Sequence, residues 1–110
     1  MAYSIENNRI ILTRGDSLRC DVKLYNKDGP EYIPNDKDSI RFAMKKSFYD
    51  QEPLLFINIP IDTMILKINA EDTKPFDFGR YYYDMQITKS NGDVDTFITK
   101  GIFLLTEEVD

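Results

Sequence analysis

The sequence predicts an all-β fold, a two-layer sandwich of about seven short antiparallel strands with one short helical turn. Three observations carry that expectation. Apolar and polar residues alternate with a period of two from end to end, and the 3.6-residue period of an amphipathic helix is nearly absent. Clusters of Gly, Asn, Asp and Pro interrupt the alternation at the spacing a sandwich requires. The 110 residues suffice for one hydrophobic core and not two, so 1–110 reads as a single domain.

The first strand is expected over Arg9–Thr13, closed by Arg14-Gly15-Asp16. In the second, Leu18–Tyr25, the residues Leu18, Cys20, Val22 and Leu24 share one face and Arg19, Asp21, Lys23 and Tyr25 the other, as a half-buried strand requires. Asn26-Lys27-Asp28-Gly29-Pro30 ends it with residues suited to a turn. The third, Ser39–Lys46, sets Ile40, Phe42 and Met44 against Arg41, Ala43 and Lys45. Ser47–Pro53 reads as a loop. Two further β-like runs, Leu54–Ile61 and Met64–Ile68, follow, with Pro60 marking an edge or a break. Asn69 is placed to cap one helical turn whose acidic residues suit the positive end of its dipole. Tyr81–Lys89 is the strongest strand pattern. Ser90-Asn91-Gly92-Asp93 then predicts a type I′ hairpin into Val94–Thr106, with a bulge or bend at Gly101.

Asp77-Phe78-Gly79-Arg80-Tyr81 fits the D-x-G-x-Y pattern of a tyrosine corner, in which the Tyr hydroxyl ties the preceding turn to its strand. Asp77, Gly79 and Tyr81 would then form a structural site, and the fold reads as an immunoglobulin-like sandwich. The inter-sheet disulfide and core Trp of antibody domains are absent, with Tyr83 standing where the second Cys would be.

Composition narrows function. Net charge is −5, from 14 basic and 19 acidic residues, which disfavours a general nucleic-acid binder needing a basic stripe. No histidine is present, so the Ser–His and Cys–His nucleophile arrangements are ruled out within one chain. With a single Cys an intrachain disulfide cannot form and a zinc cage is implausible. Cys20 falls on the inward face as a small apolar residue. No stretch has the pattern of a signal peptide or the length of a membrane span. Synthesis in the cytoplasm, no membrane partner, no cofactor and no enzymatic activity are the expectations.

Four features could carry other chemistry. Arg14-Gly15-Asp16 spells an integrin-binding tripeptide, but a turn accounts for all three residues: Gly for the bend, Asp for a side-chain-to-backbone bond. The acidic groups Asp36/Asp38, Glu71/Asp72, Asp93/Asp95 and Glu107/Glu108/Asp110 lack the ligand spacing of a calcium loop and read as solvated charges, with no metal site. Tyr82 is expected to face outward with Asp84, Gln86 and Thr88, either as sheet packing or as part of a partner-binding surface. Phe48, Tyr49, Leu55 and Phe56 form a second aromatic and aliphatic group around the loop at Pro53, and Phe48, Tyr49 and Phe56 are candidate partner-binding residues.

The order of these features resembles a known family. Thr13-Arg14-Gly15-Asp16-Ser17-Leu18, the long alternating strand and Lys27-Asp28-Gly29 come first. Ile40–Lys46, Glu71-Asp72-Thr73 and Gly79-x-Tyr81-x-Tyr83-Asp84-Met85-Gln86 follow. Together they resemble small β-sandwich virion domains of phages and prophages of Gram-positive bacteria, and are similar to the N-terminal domain of the baseplate upper protein family. The resemblance spans roughly residues 10–107 and implies a virion location, other virion proteins as partners and homo-oligomers. Family members often continue into a helical stalk and a receptor-binding module. This chain ends at Asp110, so the expected role is attachment, decoration or adaptor on tail or head, through docking without chemistry. The rival expectations are a module binding a host glycan, with Tyr82 in a stacking platform, and a small phage-encoded inhibitor of a host or defence protein.

Overall fold

A computed structural model of the protein describes residues 3–6, 8–25, 29–47 and 49–107, the first four by backbone alone. Ten strands and one helical turn follow in order: β1 Tyr3–Glu6, β2 Arg9–Thr13, β3 Leu18–Asp21, β4 Leu24–Tyr25, β5 Glu31–Tyr32, β6 Ser39–Lys45, β7 Leu55–Ile59, β8 Ile65–Ile68, α1 Ala70–Thr73, β9 Gly79–Thr88 and β10 Val94–Thr106. The fold is all-β and sandwich-like. A six-stranded sheet runs β1-β2-β10-β9-β6-β7, and two small sheets, β3-β8 and β4-β5, supply the rest.

The alternation in the sequence decides which side of each strand is buried. Tyr81, Tyr83, Met85 and Ile87 of β9, Ile40, Phe42 and Met44 of β6, Phe103 and Leu105 of β10 and Ile10 and Leu12 of β2 all enter one core. Leu18, Val22 and Leu24 with Leu66 and Ile68 close it from the small sheets. Cys20 packs partly buried against this cluster, and burial, followed by the charge of Asp21, pushes its thiol pKa up, which keeps it protonated.

Five features depart from the sequence expectation. One pair is parallel: β2 lies along β10 with Arg9 opposite Ile102 and Thr13 opposite Thr106. Parallel neighbours need a long connection, and here most of the chain separates the two strands. The expected Leu18–Tyr25 strand is divided into β3 and β4. Val22 N–H still donates to the Met64 carbonyl (2.9 Å), the next partner in the β3–β8 register, but Met64, at φ 52°, turns its own N–H to the Pro60 carbonyl (2.8 Å) and the ladder ends there. The burial alternation nevertheless continues unbroken through Leu24.

The β9–β10 hairpin is not type I′. Positive φ among the described non-glycine residues falls on Asn8 and Met64, so Asn91 does not adopt it, whereas Gly92 does, at 95°. Gly92 N–H donates to the Lys89 carbonyl (2.8 Å) and Lys89 N–H to the Asp93 carbonyl (2.7 Å). Ser90, Asn91 and Gly92 therefore form a three-residue loop whose last member supplies the left-handed step. Strand β10 carries the register shift against β9 that a bulge or bend at Gly101 predicts, between Ile98 and Gly101, and a second, unpredicted one between Thr96 and Ile98. Finally, the sequence reading missed the short strands β1 and β5.

The remaining turns follow the sequence. Arg14-Gly15-Asp16 is a tight turn closed by Asp16 N–H on the Thr13 carbonyl (3.0 Å), with the Arg14 guanidinium on the Lys74 carbonyl. β7 ends before Pro60, and at α1 Asn69 N–H donates to the Asp72 carboxylate (2.8 Å). Asn26, Lys27, Asp28, Phe48, Glu108 and Asp110 lie outside the described residues.

Candidate docking surface

The outward face of the six-stranded sheet is set by register. Arg41 and Ala43 of β6 stand opposite Gln86 and Asp84 of β9, and Lys45 opposite Tyr82. Tyr82 in turn stands opposite Ile102 of β10, and Arg80 opposite Leu104. Ile102 and Leu104 continue to Arg9 and Ile11 of β2. On the other side Ala43 meets Phe56, and Arg41 meets Asn58, of the edge strand β7.

Two zones divide this face. Toward the β9–β10 hairpin, Arg41 pairs with Asp84 and donates to Gln86 Oε1 (3.1 Å), and Gln86 donates to Thr96 Oγ1 (3.1 Å). This ladder of polar side chains links β6, β9 and β10. Toward the other end lie half-buried Tyr82, Ile102, Leu104 and Ile11, with Lys45 half-buried and Arg80 and Arg9 exposed around them. A depression of about 120 Å³ beside Tyr82 is lined by Ala43, Lys45, Asp84 and Thr99.

Tyr82 thus faces outward, as the alternation predicts. Phe56 is 53% exposed on β7, and Tyr49 is 92% exposed in the loop before it. Tyr82 and Phe56 share the outer face but are separated by β6, and Tyr49 belongs to the loop beyond its end. The second candidate group is therefore dispersed over an edge and a loop. The lining of the sheet edge includes Leu54, also exposed, which sequence reasoning had placed inside the strand.

The end of the molecule from which β9 departs is braced by Tyr81. Its hydroxyl donates to the Asp77 carbonyl at 2.7 Å, its ring packs on Phe76, and Lys46 Nζ sits 4.5 Å from its centre. Gly79 opens β9 between the two residues so joined. Burial, followed by the nearby Asp77 charge, raises the Tyr81 pKa, so the hydroxyl remains a donor at neutral pH. Tyr81→Phe leaves the Asp77 carbonyl without this donor. The expected loss is about 1–2 kcal/mol in urea-induced unfolding, and a change below 0.3 kcal/mol would show the bond to be idle.

At the opposite end Asp38, which the sequence offered only as one of a solvated acidic pair, is a buried staple. Its Oδ2 accepts from the Tyr32 hydroxyl (2.6 Å) and Asn35 N–H (3.1 Å), and its Oδ1 accepts from Ser90 N–H (3.0 Å). It thereby ties the loop before β6 to the β9–β10 hairpin. The Tyr32 hydroxyl, with the two amides and the Lys89 charge, outweighs burial and holds its carboxyl below the usual carboxylate range. A carboxyl depressed in the folded state stabilises above its unfolded pKa, about 3.9, and that contribution is lost as pH falls through the folded value. Calorimetric Tm should therefore fall more steeply below pH 4 in the native protein than in Asp38→Asn. Parallel pH profiles would show that the carboxylate charge is not what holds the loop.

Beside that staple, Leu24, Tyr25, Tyr32, Ile87, Lys89, Asp95 and Phe97 line a cleft of about 230 Å³. Among the described residues no group of three or more His, Cys, Asp or Glu is arranged to hold a metal ion. No described helix is long and apolar enough to cross a membrane. Compared with known families and curated proteins, the chain matches no family model and no curated protein.

Proposed function

We propose that this chain is a non-enzymatic structural module of a bacteriophage particle, an attachment, decoration or adaptor domain that works by docking onto other virion proteins. The observation that carries the docking part is the edge strand β7. Its five residues, Leu55-Phe56-Ile57-Asn58-Ile59, contain no charge and no proline, although 30% of the chain is charged. Exposed edges usually carry charges, prolines or bulges that block pairing with another chain. An uncharged edge that exposes Phe56 and is preceded by exposed Leu54 suits strand addition and aromatic burial.

The resemblance in motif order supports the virion assignment. The parallel β2–β10 pair and the Tyr81–Asp77 bond support an immunoglobulin-like reading of the sandwich. Synthesis in the bacterial cytoplasm and residence in the virion follow from this reading. Quantitative mass spectrometry of purified particles from the strain carrying the gene tests it. Stoichiometric copies per particle are expected, and absence from particles would overturn the reading.

A host-glycan module is the second reading, favoured by the cleft in which Tyr25, Tyr32 and Phe97 meet Lys89 and Asp95. The cleft lies away from Tyr82, where a stacking platform was expected. Titration calorimetry with host cell-wall polysaccharide separates the readings: binding lost in Tyr25→Ala favours the glycan, and no heat favours docking.

A further inference from the structure

Tyr83 carries a polar group that the fold leaves without a partner. The residue is 4% exposed, yet its hydroxyl makes no hydrogen bond to any described residue. No described side-chain oxygen or nitrogen is both sealed from solvent and unpartnered, so this hydroxyl reaches open space. Tyr83 projects from β9 into the core. The space on that side is a pocket of about 190 Å³ between β9, β10 and the facing strand β3. Cys20 lines it from β3, near enough for the thiol's charge to act on the hydroxyl.

The irregularity of β10 builds the opposite wall. Neighbouring residues of a regular strand face opposite sides, but Phe97 is the extra residue of one register shift and the next begins at Ile98. Both pack partly buried against the core, and both line the pocket. Ile10 of β2 and Met85 of β9 extend the apolar wall, while exposed Asn8, Asp21 and Lys23 stand at the mouth. Bulges that re-aim side chains in this way recur beside active sites.

We propose that this pocket binds a small neutral molecule, a ring of phenol size whose single oxygen hydrogen-bonds the Tyr83 hydroxyl. The size fits. An apolar cavity of about 150 Å³ holds benzene, so this one has room for the ring and its substituent. The polarity fits as well. A well-held water makes about three hydrogen bonds, whereas the side chains of the inner wall offer one hydroxyl and a weakly donating thiol. A ligand that brings apolar surface and one oxygen suits that wall better. Burial pushes the Tyr83 pKa up to about 12 and raises that of Cys20, so both groups stay protonated at neutral pH. A charged ligand would lose its hydration against them and gain no counter-charge. This site is separate from the docking edge β7 and from the cleft at Tyr25, although Phe97 borders that cleft too.

Nuclear magnetic resonance titration of the full chain with phenol, benzene and benzoate tests this. Phenol is expected to shift the amides around Cys20, Tyr83 and Ile98 saturably, with Kd on the order of 1 mM or below. Benzoate should leave them in place. Tyr83→Phe removes a hydroxyl that bonds nothing within the fold, so the variant is expected to stay folded. It should bind phenol about three- to tenfold more weakly and benzene as well as the native chain does. A second variant, Ile98→Trp, fills the pocket from its half-buried wall and should abolish phenol binding. Cys20 is the only thiol of the chain, and its alkylation by iodoacetamide should slow several-fold under saturating phenol. No saturable shift with phenol, shifts confined to other residues, or equal phenol affinity in the native chain and Tyr83→Phe would overturn the proposal. None of these results touches the virion reading, which stands or falls on particle composition.

Discussion

Gly101→Ala is expected to destabilise the protein by about 2–4 kcal/mol, more than a surface glycine substitution could, because of overpacking in the core. A Cβ at this position would lie 2.3 Å from Tyr83 Cε1 and 2.4 Å from Cζ. No real contact is that close, so ring or backbone must move. The ring is hemmed in on its core side: it is buried at 4% exposure, and its centroid lies 5.3 Å from that of Phe42. Its environment is apolar enough to push the hydroxyl pKa up to about 12, with burial as the main cause and Cys20 the lesser one. The backbone could yield only by undoing the register shift between Ile98 and Gly101, which would rotate the first half of β10. Urea denaturation of Gly101→Ala, Tyr83→Leu and the double variant separates these alternatives. If the ring is the obstacle, the double variant should be more stable than the sum of the single losses by at least about 1 kcal/mol. Strict additivity would mean that the backbone, not the ring, resists the change.

Most of the sheet was legible because burial is written in the alternation. β2 begins and ends where the pattern does, and the helical turn follows Asn69 as expected. What stayed hidden is of a different kind. The break between β3 and β4 is made on the facing chain, where Met64 turns its N–H to the Pro60 carbonyl, and such a turn leaves the inward sequence Leu18, Cys20, Val22, Leu24 unchanged. The Asn91-Gly92 pair announces a hairpin, but Ser90 joins the loop and removes the need for positive φ at Asn91. Two residues, Glu31 and Tyr32, between Pro30 and Pro34 are too few for a period to show. Asp38 looks like any loop carboxylate, because its partners Tyr32 and Ser90 are brought to it only by the fold. The same limit applies to the outer face. That Tyr82 points outward follows from the alternation, but its neighbours Lys45 and Ile102 come from β6 and β10 and depend on register.

Phe42→Ala should be the most damaging truncation, costing about 3–5 kcal/mol through lost burial and the cavity left behind. Phe42 is fully buried in the middle of the sheet and touches two rings from different strands, Tyr83 on β9 at 5.3 Å and Phe103 on β10 at 6.3 Å between centroids. Collapse to fill the space would need β6 and β10 to close over β9, which the ladder between them prevents, so the cavity should persist. Phe56 gives the internal control. It lies in the adjacent strand β7, opposite Ala43, with 53% of its surface exposed. Phe56→Ala should change unfolding free energy by no more than about 0.5 kcal/mol while weakening incorporation into particles. The two truncations remove the same atoms, so the contrast separates the ring that holds the fold from the one offered to a partner. Should Phe56→Ala unfold as easily as Phe42→Ala, β7 is a structural wall and the docking edge must be sought elsewhere. Should it be neutral in both assays, the strand is an ordinary exposed edge and the virion contact lies on another surface.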